Sequence, residues 1–286
     1  MSELIKSTFD EVCRGYDGLE FFPRSASSFV RRLKLAGNEQ VLDVATGTGH
    51  LAFLLAQQVP QGTVTAIDFS RGMLECARQK ADAEGFGNIA FQEMDMEQLD
   101  FTPGAFDLAA CSFGIFFIED IAGQLKKIAN VVRPGGTLAI ATFEENHYFN
   151  PLVDLMLGRL ESFGVQRSPQ AWKQVASKAG CRDLLAGAGL TDIIVEYENV
   201  GYYLQTAGQW WNIVWNGGMR RLFNQLSDEQ LKRFRAEHLE EIEERKTSEG
   251  IWLDVGVLFS SGHKQNNGRP QRAENSRLSP RGPGSG

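Results

Sequence analysis

Residues 41–50 read Val-Leu-Asp-Val-Ala-Thr-Gly-Thr-Gly-His, a short apolar strand that runs into a glycine turn and then into helical spacing over residues 51–58. Gly47 and Gly49 allow the backbone to approach a ligand that a Cβ would exclude. The segment from Gly47 also fits the G-x-G-x-x-A pattern of a dinucleotide site, with Asp68 at the spacing expected for a ribose-binding acid. The turn therefore predicts an adenosine-containing cofactor without distinguishing which one.

Asp43 separates the two candidate cofactors. It ends the first strand just before the glycine turn, where the pyrophosphate of a dinucleotide would have to pass. A carboxylate at that point repels phosphate and suits a cationic ligand. S-adenosylmethionine carries an α-ammonium and a sulfonium in place of phosphates, so Asp43 favours it over NAD.

Working outward, short apolar runs alternate with amphipathic stretches, which is typical of consecutive βα units and a parallel sheet. Helical spacing recurs at residues 71–83 and 121–132, and the second of these ends at Arg-Pro-Gly-Gly, residues 133–136. Strands are predicted at residues 41–44, 64–67, 89–93, 106–111, 137–143, 191–204 and 251–260. The pattern predicts an α/β fold with a Rossmann-like, mostly parallel seven-stranded sheet and helices on both faces.

The predicted domain organisation is one domain over residues 1–264, with its cofactor-binding core at about 36–143. Two insertions, at about 144–190 and 206–249, follow the fifth strand and separate the last two, and we expect them to form a helical lid over the carboxyl edge of the sheet. The second contains Trp210, Trp211 and Trp215, which fit either a core or an acceptor pocket. Residues 265–286 are rich in Gly, Pro, Ser and Arg, so a disordered tail is expected there.

The composition limits the classes of partner. The chain of 286 residues has a formal charge of −7, and its last 22 residues carry four arginines against one glutamate, so the first 264 carry −10. That field opposes nucleic-acid binding. No apolar run approaches the roughly 18 residues that span a bilayer, and the four cysteines show no metal-ligand spacing. We expect a cytoplasmic protein with reduced thiols, no membrane association and no metal.

With further motifs in order at residues 95–96, 106–107, 111–114 and 132–136, the chain resembles the class I S-adenosylmethionine-dependent methyltransferases. Among these it is most similar to the ubiquinone and menaquinone biosynthesis and natural-product enzymes. The resemblance implies that Asp43, Gly47 and Gly49 contact the methionine part of the cofactor, with Ala45 in place of the usual first glycine. It also implies that Asp68 binds the ribose.

The same resemblance assigns further cofactor contacts. Phe69 and Met73 are expected near the adenine, Asp95 at its amino group and Met96 over the ring. Tyr16 is expected to close over the cofactor. Ser112, after the fourth strand, completes the cofactor-binding set.

His147 is the candidate catalytic base, because it is the only histidine soon after the fifth strand, in a loop at the carboxyl edge where ligands of such sheets bind. Tyr148 and Glu144 are weaker candidates. His50 is expected to help position the cofactor, whereas His238 and His263 are expected at the surface.

The predicted function is S-adenosylmethionine-dependent methyl transfer to an oxygen, nitrogen or carbon atom of a small, aromatic or partly apolar acceptor. The protein is expected as a monomer or homodimer. Two alternatives stay open: a cofactor-binding protein of this fold that catalyses a non-methylating reaction such as a cyclisation, and a nicotinamide-dependent oxidoreductase.

Overall fold

A computed structural model describes residues 3–166 and 171–266. The helices are α1 Glu3–Tyr16, α2 Phe21–Val30, α3 His50–Gln58, α4 Arg71–Glu84, α5 Ile121–Val131, α6 Leu152–Ser162, α7 Lys178–Gly187, α8 Ala207–Trp215, α9 Arg220–Phe223 and α10 Asp228–Glu243. The strands are β1 Gln40–Val44, β2 Thr63–Asp68, β3 Ile89–Glu93, β4 Phe106–Ser112, β5 Val132–Tyr148, β6 Leu190–Asn199, β7 Tyr202–Leu204, β8 Ile251–Leu253 and β9 Val255–Lys264. Within these two ranges, no helix combines the length and apolarity that crossing a bilayer requires.

The predicted seven-stranded, Rossmann-like sheet is confirmed. Its strand order is β3-β2-β1-β4-β5-β9-β6; the first five strands are mutually parallel, and β9 runs antiparallel to both β5 and β6. Alternate residues of β1 enter different cores, with Val41 on one face and Leu42 and Val44 on the other, all without exposure to solvent. Burial on both faces explains why Val41, Leu42 and Val44 are all apolar.

The two strands predicted at residues 191–204 and 251–260 are each broken, which corrects that part of the prediction. Gly201 lies so close to β8 that a Cβ there would be 2.4 Å from the carbonyl oxygen of Leu253. The Asn199 amide donates to the Asp254 carboxylate at the same level. The chain therefore leaves the main sheet after β6, and β7 pairs with β8 in a separate two-stranded sheet.

Only part of the segment 144–190 packs against the second insertion. Arg159 of α6 forms ion pairs with Glu237 at 2.8 Å and Glu241 at 3.0 Å, both on α10. By contrast, Cys181 and Leu185 of α7 are buried with α5 on the opposite face of the sheet. We call α6, α8, α9 and α10 the insertion helices.

His238 lies inside the insertion helices, contrary to the prediction that it is a surface residue. It has no exposed side-chain surface and its Nε2 accepts from the Trp210 indole at 2.9 Å. An indole N–H only donates, so this nitrogen is unprotonated. Burial lowers the pKa of His238, opposed by Glu241. Phe234, His238 and Ile242 are spaced by four residues, a buried stripe that the sequence displays.

Other expectations have mixed outcomes. Trp210 and Trp211 are buried in the core, while Trp215 is partly buried against it. His263 is exposed as predicted. From residue 267 onward, the predicted disordered tail lies outside the described residues. Helices α1 and α2 have no counterpart among the predicted elements, although Phe21, Phe29 and Val30 of α2 enter the main core.

Candidate functional site

The glycine turn between β1 and α3 is built on left-handed backbone. Ala45, Gly47 and Gly49 have φ values of 57°, 56° and 92°. The amide of Thr46 donates to the carbonyl of Ile67 at 2.9 Å, and its hydroxyl donates to Asp43 at 2.6 Å. These bonds fix the turn at the carboxyl edge of the sheet, between the ends of β1 and β2.

Two buried carboxylates flank the turn. Burial, with the charge of Asp68, raises the pKa of Asp43 to about 7 against the bond from Thr46. Burial also raises the pKa of Asp68 to about 6, although Asp68 accepts from the amides of Ser70 at 2.9 Å and Gly47 at 2.8 Å. Across residues 3–166 and 171–266, no lysine or arginine pairs with either acid. Such a pair fits a ligand that brings positive charge and hydroxyl donors, as S-adenosylmethionine does.

The other cofactor residues predicted from the resemblance lie at the neighbouring strand ends. Asp95 follows β3 and caps a short helical turn through the amide of Glu97 at 2.9 Å. Met96 is buried, and Ser112 ends β4 half-buried. The end of β3 adjoins that of β2, since the amide of Met94 donates to the carbonyl of Asp68 at 2.9 Å.

Phe69 and Met73 lie under α1. Phe69 is half-buried, with its ring centroid 6.3 Å from that of Phe9. Met73 is 1% exposed and packs in the same small cluster, with Val12 and Cys13. Met73 therefore forms part of the contact between α1 and α4. Phe69 is more exposed than Met73 and follows Asp68 directly in the sequence.

Tyr16, at the end of α1, covers the glycine turn. Its ring comes within 3.8 Å of the position that a Cβ on Gly47 would occupy. Burial, followed by the charges of Asp68 and Asp17, raises the pKa of Tyr16. The structure therefore brings Tyr16, Asp43, Gly47 and Asp68 together at one site.

Two acidic residues that sequence reasoning did not assign, Asp10 in α1 and Asp17 directly after it, hold Tyr16 in place. Asp10 accepts from the Ser70 hydroxyl at 2.6 Å, and Asp17 from the Thr48 hydroxyl at 2.5 Å. Their spacing of seven residues puts both on the same side of the helix, a signal visible in the sequence. His50, expected near the cofactor, has its Nε2 3.1 Å from Asp17.

An aromatic layer starts at the cofactor site. Tyr16 stacks on Phe22 at 4.5 Å, Phe22 contacts Phe113 at 5.5 Å, and Phe113 contacts Phe143 at 4.4 Å between ring centroids. The layer continues from Phe143 to Tyr148 at 4.8 Å and from Tyr148 to Trp172 at 4.9 Å. We define the aromatic layer by these residues: Tyr16, Phe22, Phe113, Phe143, Tyr148 and Trp172.

The two candidate catalytic residues point in different directions. Tyr148 belongs to the aromatic layer, and burial raises the pKa of Tyr148 against the opposing charge of Arg221. His147 is half-exposed, its Nδ1 2.7 Å from the Asp254 carboxylate and its ring 5.4 Å from that of Tyr197. Neither contact belongs to the aromatic layer. Asp254 was not singled out in the sequence, because nothing near residue 254 marks it as a partner of His147.

Because Asp43 has a raised pKa, unfolding should respond to pH in a specific direction. The carboxyl binds its proton more tightly folded, at about 7, than at its ordinary value of 3.8, so its contribution to stability falls as pH rises from about 4 to about 7. We compare the unliganded native protein with unliganded Asp43→Asn. The melting temperature of the native protein minus that of the variant should decrease as the pH rises from about 4 to about 7.

The titration of Asp43 should also change the affinity for the cofactor. Affinity for S-adenosylmethionine, a cation at sulfur, should rise through that pH interval more steeply than affinity for neutral S-adenosylhomocysteine. Equal pH slopes for the two ligands in calorimetric titrations would contradict a role for this charge.

Comparisons with known proteins identify relatives of this chain. A family profile described as a methyltransferase domain matches residues 41–136, which span the glycine turn and β1 to the start of β5. The chain is 30% identical over 209 residues to the aklanonic acid methyltransferase DauC of Streptomyces sp. strain C5, covering 69% of this chain and 91% of that protein. It is 31% identical over 206 residues to the ubiquinone/menaquinone biosynthesis C-methyltransferase UbiE of Geotalea daltonii, covering 65% and 88%.

Among solved structures, the YcgJ protein from Bacillus subtilis superposes with a TM-score of 0.56 at 18% identity, covering 85% of this chain and 98% of that one. At this identity the likeness supports the fold alone. The relatives, not the fold, decide between the two adenosine cofactors, and the nicotinamide-dependent alternative is wrong. The chain belongs to the class I S-adenosylmethionine-dependent methyltransferases and uses S-adenosylmethionine as its cofactor.

Proposed function

We propose that the protein methylates an oxygen, nitrogen or carbon atom of a small acceptor that is aromatic or partly apolar. The observation that carries this proposal is the aromatic layer, which begins at Tyr16 over the glycine turn. It reaches the insertion helices through Phe143 and Phe149, whose ring lies 6.1 Å from that of Trp210. Such a wall offers stacking to a planar molecule and few hydrogen bonds to a polar one.

The names of the two relatives support a small, aromatic or partly apolar acceptor. One concerns ubiquinone and menaquinone biosynthesis and the other aklanonic acid. The charge of the first 264 residues, −10 from the sequence, opposes binding of nucleic acid. The proposal therefore keeps a small-molecule acceptor and excludes nucleic acid.

All the cofactor-binding residues expected from the sequence would take part in binding S-adenosylmethionine. Asp43, Ala45, Gly47 and Gly49 would hold its methionine part and Asp68 its ribose. The others would surround the adenine and sulfonium: Tyr16, Phe69, Met73, Asp95, Met96 and Ser112. Bound S-adenosylmethionine supplies a methyl group on a sulfonium, which leaves as a neutral thioether. The residues of this chain contribute by aligning the acceptor with that methyl group, an effect worth up to about 7–11 kcal/mol in the best intramolecular cases.

Tyr148 and His147 receive different roles. The raised pKa of Tyr148 keeps its hydroxyl protonated, so it would donate a hydrogen bond to the acceptor and orient it. His147 would remove a proton from a hydroxyl acceptor, because Asp254 accepts from its Nδ1 and leaves Nε2 free. Its ring lies outside the aromatic layer, so this proton transfer requires a bridging water or a turn of the imidazole.

The insertion helices would act as the lid of this site within one domain, residues 1–264. Arg220 at the start of α9 forms an ion pair with Glu11 of α1 at 3.0 Å, which joins the second insertion to the cover of the cofactor. A lid of this kind excludes water and selects for small ligands.

A direct assay tests the proposal. The protein is incubated with S-adenosylmethionine and, separately, a phenol, a hydroquinone, an aromatic carboxylic acid and a short RNA. We expect S-adenosylhomocysteine and a methylated product by mass spectrometry with at least one aromatic acceptor and none with RNA. Formation of an isomerised acceptor of unchanged mass, without S-adenosylhomocysteine, would replace the proposal by a cyclisation.

A further inference from the structure

Two carboxylates attach helix α1 and the residue after it to the cofactor core, and Lys6 of α1 adds an ion pair with Glu93 at 3.3 Å. Asp10 accepts from the Ser70 hydroxyl at 2.6 Å and from the amide of Gly72 at 3.0 Å, at the start of α4. The middle of α1 is thereby fixed beside β2, where α4 begins. This attachment involves α4 and no residue of the glycine turn.

Asp17 forms the second attachment, directly after Tyr16. It accepts from the Thr48 hydroxyl at 2.5 Å and Lys80 at 2.9 Å, and lies 3.1 Å from His50 Nε2. Partial burial raises the pKa of Asp17, but the bonds from His50, Thr48 and Lys80 outweigh it and hold the pKa well below its ordinary value. Asp17 is therefore ionised at neutral pH, and its bonds are charge-assisted.

Thr48 lies in the glycine turn, and His50, on the other side of Gly49, begins α3. The bonds of Asp17 thus join the cover of the cofactor to the loop that binds it. Tyr16 covers Gly47 and Asp68 only while α1 keeps this position, and Glu11 of the same helix pairs with Arg220 of the insertion helices. A ligand seated at Asp68 is then enclosed from this side.

We propose that Asp17 is a positioning residue that holds Tyr16 over the cofactor, and that cofactor exchange requires α1 to lift from α4. The proposal rests on the cofactor site and is independent of the acceptor. Asp17, rather than Asp10, sets the exchange rate, because only Asp17 adjoins Tyr16 and bonds the glycine turn.

Variants at the two attachments separate positioning from simple stabilisation. We expect Asp17→Asn to raise the Kd of S-adenosylhomocysteine about tenfold, through faster dissociation, since one charged hydrogen-bond acceptor is lost. Asp10→Asn, the matched control, should lower the melting temperature similarly but change Kd less than about twofold. Asp17→Glu should restore part of the affinity. In turnover, Asp17→Asn should raise KM for the cofactor with kcat unchanged at saturation.

The interpretation is overturned if Asp17→Asn leaves the dissociation rate unchanged. It is equally overturned if Asp10→Asn increases that rate as much as Asp17→Asn does. Both measurements use binding alone, so they do not depend on whether the proposed acceptor class is correct.

A pair of free cysteines, Cys13 on α1 and Cys76 on α4, offers a test of whether α1 moves. Residues 10 and 13 of α1, and Asp17 directly after it, lie opposite residues 72, 76 and 80 of α4, so the two helices run parallel. They approach closely, because a Cβ on Gly72 would lie 3.1 Å from the Cα of Asp10. The cysteines fall on separate elements, as the sequence suggested, but Cys13 of α1 faces Cys76 of α4 closely enough to raise the pKa of Cys76, and both thiols are free.

Oxidation with diamide can join these two thiols. The Cys76 thiolate adds to the N=N bond, and the Cys13 thiolate then attacks that sulfur to form the disulfide. Two electrons and two protons end on the reagent, which becomes a hydrazine. Burial, with Cys13 and Asp17, raises the pKa of the Cys76 thiol to about 11, so the reaction is run at alkaline pH. Dissociation is then measured at neutral pH.

The protein is oxidised with S-adenosylhomocysteine already bound. We expect release to slow at least tenfold, and dithiothreitol to restore it; Cys13→Ser and Cys76→Ser should show neither effect. An unchanged release rate in protein whose Cys13–Cys76 bond is verified by peptide mapping would show that exchange does not require α1 to lift. If no such bond forms, the dissociation rate of Asp17→Asn decides the question alone.

Discussion

Replacing Asp68 with alanine is expected to weaken binding of S-adenosylmethionine and S-adenosylhomocysteine by about 10²- to 10⁴-fold. Two charge-assisted hydrogen bonds to the ribose hydroxyls contribute about 1.5–3 kcal/mol each, and each 1.4 kcal/mol is a factor of ten. The amides of Gly47 and Ser70 also lose their shared acceptor, which loosens the glycine turn. Calorimetric titration of the purified proteins measures the change directly.

Asp107 provides a matched control at the other end of the sheet. Like Asp68 it accepts from a backbone amide, that of Gln40 at 2.7 Å, and it also pairs with Arg133. Asp107→Ala should therefore perturb the fold locally and leave cofactor affinity unchanged. Micromolar binding that survives in Asp68→Ala would remove the ribose role from Asp68, and NAD serves as the ligand that neither protein should bind.

Replacing His147 with glutamine is expected to lower kcat by about 10²- to 10⁴-fold for an acceptor that must lose a hydroxyl proton, the usual range for general-base catalysis. Glutamine keeps a polar group near Asp254 but cannot take a proton at neutral pH. Raising the pH until the acceptor ionises in solution should recover most of the loss. Steady-state rates across the pH range, with a phenolic acceptor, measure both effects.

Tyr148→Phe is the control, because it removes one hydroxyl from the neighbouring residue without touching Asp254. Loss of one neutral hydrogen bond, about 0.5–1.5 kcal/mol, should raise KM for the acceptor about two- to tenfold. If His147→Gln turns over within twofold of the native protein while Tyr148→Phe is impaired, the base assignment fails and Tyr148 remains as the residue that orients the acceptor.

The cofactor half of the site was predictable because its residues follow their strands directly. Asp43, Gly47 and Asp68 lie within a few residues of a strand end, and parallel strands deliver their carboxyl ends to one edge. Local spacing was therefore enough to place them together. The break of the seventh strand at Asp254 was not predictable, since it depends on Asn199 and Gly201 in a distant segment.

The acceptor half depends on contacts between remote parts of the chain. Phe21 of α2 contacts Phe143 of β5, and Tyr148 of β5 contacts Trp172 before α7; no local sequence pattern encodes either contact. The sequence favours a surface position for His238 because charged residues surround it, but the structure buries it against Trp210, which lies 28 residues away. The pairing of Asp17 with Lys80 likewise joins residues 63 positions apart in the sequence.

The position of β9 determines when the main sheet can be completed during translation. It is the last strand of the described residues, yet it separates β5 from β6, and within those residues β6 pairs only with β9 in the main sheet. During translation, the ten residues of β6 leave the ribosome before β9 has been made. Their backbone groups stay unpaired until the second insertion and β9 are complete. Pairing across so long a separation is slow, and an open strand recruits other chains. Truncation before β9 should therefore yield aggregation during translation.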